Sequence, residues 1–177
     1  MIKAFLVGIS EYCIENTENL PYCKNDIFKL RKSLIKGLKA NEENITLIGC
    51  DNTVIFAYFD YMFDCFLSSL TEDDTMIFYF SGHGSNGNFL LSDKEISINS
   101  IIERIQNSKS KRKIIILDCC HSGEFILDGV AQLSTEDSIA EFVGTGCTIM
   151  ASCAASQESG FHPKRNISLS SPVLFFR

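Results

Sequence analysis

Two short strings in this chain put reactive side chains beside small residues. Ser81-Gly82-His83-Gly84 follows the apolar run Phe78-Tyr79-Phe80, and Asp118-Cys119-Cys120-His121-Ser122-Gly123 follows the run Ile114–Leu117. A thiol attacks a carbonyl carbon when a base removes its proton, and the tetrahedral intermediate then needs N–H donors. Cys120 offers the thiol and His83 the base. Gly82, Gly84 and Gly123 leave room for a peptide backbone, and the N–H groups of Gly84 and Cys120 are the oxyanion donors in this reading. Each string also has a plainer reading, Asp118-Cys119-Cys120 as a buried strand end and Ser81–Gly84 as a tight turn. A metal held by His83, Cys119, Cys120 and His121 is disfavoured: adjacent cysteines rarely serve one tetrahedral ion, and no cysteine pair has CxxC spacing.

For His83 and Cys120 to meet, the chain must lay the two strings side by side. Strand-length apolar runs at Lys3–Ile9, Asn44–Ile48, Thr75–Phe80, Lys113–Leu117 and Cys147–Ala151 alternate with helical patterns at Asn25–Leu38, Thr53–Leu70 and Ser97–Asn107. In Asn25–Leu38 the spacing of Ile27, Leu30, Leu34 and Leu38 makes one apolar face. This alternation predicts an α/β three-layer fold with a mainly parallel sheet covered on both faces. Ligands in such sheets bind beyond the carboxyl ends of the strands, where both strings fall. Neighbouring strands lie about 5 Å apart, so side chains at adjacent strand ends come within reach. Residues 127–145 lose periodicity and carry Asp128, Glu136, Asp137 and Glu141, the composition of an exposed linker.

The bulk properties narrow the partners. A chain of 177 residues with 45% hydrophobic residues suits one folded domain. A net charge of −6 argues against nucleic acid or an anionic membrane as partner. The basic run Lys109–Lys113 reads as a solvated turn before a strand. Several of the 8 cysteines lie in apolar runs, and Met1–Tyr12 shows no cleavage-site pattern, so a reduced cytoplasmic protein is expected. No segment reaches the ~18 apolar residues of a membrane span.

FYFSGHG and IIILDCCHSGEF resemble the histidine and cysteine motifs of the caspase-like clan. DCCHSG is closer to the D-x-C-H-S-G of metacaspases than to the Q-A-C-x-G of animal caspases. The match implies Cys120, not Cys119, as nucleophile, His83 as base and Gly84 as oxyanion donor. Leu20–Leu34 resembles the metacaspase segment in which a C-x-N-D string, here Cys23-Lys24-Asn25-Asp26, opens the first helix. The resemblance places Cys23, Asp26, Ser81 and Asp118 around the substrate residue that precedes the cut. Two carboxylates converging in a partly desolvated pocket repel unless a cation joins them, so Arg or Lys is the expected residue. Asp26 also reads as a charge favoured in the first turn of a helix, and Asp118 as a strand-end cap.

By the same resemblance residues 1–126 form a p20-like catalytic part and 146–177 the start of a p10-like part, with no room for the helix and sixth strand that follow in the family. The implied function is a cysteine endopeptidase cutting after Arg or Lys, acting on protein or peptide substrates under an activating partner in cell death or defence. A catalytically silent interaction module and an Asp-specific caspase are the alternatives. The sequence requires no cofactor; many metacaspases use calcium, for which Asp93 and Asp128 are the candidate ligands. No Lys or Arg occurs from Ile114 to Pro163, so self-cleavage after a basic residue is expected at Lys164, Arg165 or Arg177, or nowhere.

Overall fold

The computed structural model describes residues 1–85, 87–119, 139–142, 146–151, 161–162 and 167–168. Six strands form the central sheet: β1 (Ile2–Gly8), β2 (Ile45–Ile48), β3 (Thr75–Ser81), β7 (Arg112–Asp118), β8 (Ile139–Phe142) and β9 (Cys147–Ala151). Their order is β2-β1-β3-β7-β9-β8, and every pairing is parallel except β8 with β9. The five expected strands are all present, four of them shifted by one residue at one end or both and Cys147–Ala151 with the expected bounds. Asn44 falls instead in a 3-10 turn, Glu42–Asn44.

Strand periodicity decides which side chain meets which layer. Ala4, Leu6, Ile77, Tyr79 and Ile116 face α1 (Cys23–Leu38), whose Ile27, Leu30 and Leu34 cover them. The alternate residues Phe5, Val7, Met76, Phe78, Phe80, Ile115 and Leu117 face α2 (Phe56–Ser69) and α3 (Ile98–Gln106). The fold is therefore the expected α/β sandwich of three layers. An aromatic cluster fills the second side: the Phe5 and Phe78 rings stack with centroids 6.3 Å apart, and Phe59, Phe63 and Phe66 of α2 close over Phe5. Each such fully buried Phe stabilises the fold by roughly 1.5–3 kcal/mol. α3 contributes Ile98, Ile101, Ile102 and Ile105.

Four local expectations are corrected. Leu38 is exposed, because the chain leaves the helix at Lys39 in a left-handed conformation and Ala40 is buried instead. α2 starts at Phe56, not Thr53: the Val54 N–H donates to Ser92 Oγ at 2.7 Å and the Phe56 N–H to Asp93 Oδ1 at 2.8 Å, so the preceding residues stay extended. Between His83 and α3 the chain also builds a small antiparallel sheet for which the sequence carried no expectation, β4 (Gly84–Ser85), β5 (Asn88–Leu90) and β6 (Glu95–Ser97). Residues 139–142, expected as exposed linker, form the edge strand β8. Further on, β10 (Phe161–His162) pairs with β11 (Ile167–Ser168). The basic run is not simply solvated either: Lys113 is buried, and burial lowers its pKa. Among the described residues no helix is long and apolar enough to cross a membrane, and no disulfide joins the described cysteines.

Candidate active site

The carboxyl ends of three strands stop level with one another. Gly8 of β1 pairs with Ser81 of β3, and Ser81 pairs with Asp118 of β7. Register partners in a parallel sheet share a face, so Ser81 and Asp118 point to the same side as Tyr79, toward α1. The first turn of α1 comes down on this edge because Gly8 lets it: a Cβ there would stand 2.6 Å from the Cys23 carbonyl oxygen. That approach delivers Cys23 and Asp26 to the strand ends.

The four residues expected around the substrate side chain therefore stand together. Asp26 is 0% exposed and accepts a hydrogen bond from Ser81 Oγ at 3.1 Å; Asp118 is 3% exposed and accepts one from the Tyr79 hydroxyl at 3.1 Å. Burial first, and then the fields of Asp26 and Asp118, push the Cys23 thiol well above its ordinary pKa, against an opposing hydrogen bond with Ser81. Cys23 is thus a neutral neighbour of the two carboxylates, not a nucleophile. Burial also raises the Tyr79 phenol far above its usual range, helped by Asp118 and Asp26, so it remains a donor.

His83 lies two residues past the end of β3, half-buried. Its Nε2 stands 2.7 Å from the Glu18 carbonyl oxygen. A carbonyl only accepts, so Nε2 carries the hydrogen and Nδ1 keeps the lone pair that can take a proton. Gly84, the expected oxyanion donor, is in β4 opposite Phe89.

Cys120 lies outside the described residues, as do His121 and Asp128. Its neighbour Cys119 is described, 1% exposed and packed in the core on the α2 and α3 side. Cys119 is therefore shielded from a polypeptide substrate. Cys120 stands two positions beyond Asp118 in sequence, as His83 stands two beyond Ser81, and Asp118 and Ser81 are register partners. Among the described residues no group of three His, Cys, Asp or Glu side chains is arranged to hold a metal ion. Asp93 accepts from the N–H of Phe56 at the start of α2.

Three participants escaped the sequence reading: Tyr79 on Asp118, the Glu18 carbonyl on His83, and Tyr12, whose hydroxyl accepts from the His83 backbone N–H at 2.9 Å. The carbonyl has no side-chain signature. The tyrosines carried a weak one, a phenol at or just beyond the end of an apolar strand.

The caspase-domain family model matches residues 1–167. The chain thus belongs to the caspase-domain family, a family of cysteine peptidases. Among solved structures it resembles caspase-1 from Spodoptera frugiperda, with a TM-score of 0.69 at 16% identity over 93% of this chain and 63% of that one. A structure titled pro-sf-caspase-1 matches with a TM-score of 0.63 at 14% identity over 94% of this chain and 64% of that one. The chain spans a little under two thirds of both. No curated protein matches it in sequence.

Proposed function

We propose that this protein is a metacaspase-like cysteine endopeptidase that cuts after Arg or Lys, with Cys120 as nucleophile and His83 as acid and base. The observation that carries the specificity is the convergence of two buried carboxylates, Asp26 and Asp118, at the strand edge from which His83 emerges. A guanidinium offers a planar fork of donors to paired carboxylates, and their low-dielectric setting strengthens the attraction. An Asp side chain would add a third negative charge to the same place.

In this mechanism His83 Nδ1 takes the Cys120 thiol proton as sulfur attacks the substrate carbonyl carbon. The N–H groups of Gly84 and Cys120 receive the oxyanion. His83 then gives its proton to the departing amine, and water hydrolyses the thioester with His83 again as base. Free cysteines support a cytoplasmic protein, and the resemblance an activating partner and a role in cell death or defence.

Fluorogenic peptides ending in Arg, Lys or Asp before the reporter test the reading. Arg and Lys peptides are expected to turn over at least about 100-fold faster than the Asp peptide, with all turnover lost in Cys120→Ala. Preference for Asp overturns the specificity. Turnover that survives in Cys120→Ala overturns the nucleophile.

A further inference from the structure

Tyr12 touches both sides of the hydrogen bond that orients His83. On one side its hydroxyl accepts from the His83 backbone N–H at 2.9 Å and donates to the Ile9 carbonyl at 3.2 Å. Its ring lies against the imidazole, with centroids 4.8 Å apart and planes inclined by 50°. On the other side the Tyr12 backbone N–H donates to Asn19 Oδ1 at 3.0 Å, and Asn19 adjoins Glu18, whose carbonyl faces His83 Nε2. Gly82 is fitted to the arrangement, since a Cβ there would stand 2.9 Å from the Tyr12 hydroxyl oxygen.

The surroundings keep this contact set intact. Burial, and next the neighbouring Cys23, raise the Tyr12 phenol well above its ordinary value. The hydroxyl therefore remains protonated and able to donate to Ile9 while accepting from His83. The segment leading to Glu18 is tied down independently: the Leu20 N–H donates to the Ser10 carbonyl at 2.9 Å and the Cys13 N–H to the Ser92 carbonyl at 2.7 Å.

We propose that Tyr12 is a positioning residue that clamps the His83 loop to the Glu18 segment, holding the imidazole in the Nε2–H tautomer with Nδ1 left to accept a proton. The inference rests on the Cys–His reading for its catalytic consequence but not for its geometric one. A misaligned base loses rate without losing substrate affinity, so the effect falls on kcat.

Two variants of the full chain test it from opposite sides. Tyr12→Phe keeps the ring and removes the hydroxyl; Asn19→Ala leaves Tyr12 whole and releases the Glu18 side. The first readout is the His83 Nε2–H proton resonance in protein labelled at histidine, which needs no substrate. A resolved, solvent-protected signal is expected in the wild type, with protection reduced about tenfold in both variants. The second readout is turnover of Arg peptides, where Tyr12→Phe is expected to lower kcat about tenfold with KM within about twofold. An Nε2–H signal unchanged in both variants overturns the proposal. Should the wild type cleave no basic peptide, the specificity reading fails alone and the resonance still decides. Should Tyr12→Phe not fold, Asn19→Ala carries the same decision.

Discussion

The two edges of the central sheet each bury acidic side chains but surround them differently. At the amino-terminal edge Asp74, its side chain 2% exposed, receives the Met1 ammonium at 3.0 Å and Lys3 Nζ at 3.2 Å, together with the Thr71 N–H and hydroxyl at 2.9 Å. At the carboxyl-terminal edge Asp26 and Asp118 receive the Ser81 and Tyr79 hydroxyls. A carboxylate that meets cations and amides within the fold serves to hold strands and loops together. On our reading the pair at the carboxyl-terminal edge also meets a substrate Arg or Lys, a cation from outside the fold.

The largest expected effect breaks the comparison at its functional end. Asp118→Asn keeps the side chain's shape and removes one charge, so on our reading kcat/KM for Arg peptides should fall about 100-fold while the melting temperature stays close to wild type. An unchanged kcat/KM would return Asp118 to a purely structural role. At the other edge Asp74→Asn should lower stability by about 2 kcal/mol and leave the turnover of folded protein unchanged, as read by denaturant titration alongside kinetics.

Acid sharpens the same contrast. Burial alone would raise the Asp74 pKa, but the Thr71 N–H, the Met1 ammonium, the Thr71 hydroxyl and Lys3 together hold it well below the usual carboxylate range. A depressed folded value means that the stabilisation is complete above the unfolded value, about pH 4, and drains away as pH falls toward the folded one. Denaturant midpoints measured from about pH 5 downward should therefore fall less steeply in Asp74→Asn than in wild type. The smallest effect is expected at Asp93, which accepts from the first N–H of α2: Asp93→Ala should lower stability by about 1 kcal/mol with KM unmoved.

Long, one-sided patterns were readable before any coordinates. Runs such as Ile114–Leu117 are too apolar for an exposed position, and the aromatic spacing of Phe59, Phe63 and Phe66 is that of a helix face against a sheet. What stayed hidden was short or polar. β4, β5 and β6 hold two or three residues each, below the length at which a period of two can be seen. Residues 139–142 include Glu141, which reads as linker in sequence, yet an edge strand paired on one side tolerates a charge. At the site, the types and spacing of His83 and Cys120 pointed to thiol chemistry by themselves. Cys23, Asp26, Ser81 and Asp118 were joined to them only by resemblance, because residues so far apart in sequence share no local pattern.

The sequence by itself determined the layered α/β plan and the placing of both reactive strings after strands, since hydrophobic periodicity and strand length are local properties of the chain. Only the tertiary structure decided that Ser81 and Asp118 share a register position and that Cys119 is turned into the core. It alone brought the Glu18 carbonyl to His83 and Tyr12 across both. Those outcomes depend on how strands align and which way a loop turns. Such choices are made by packing and hydrogen bonding between distant segments, and no stretch of residues encodes them alone.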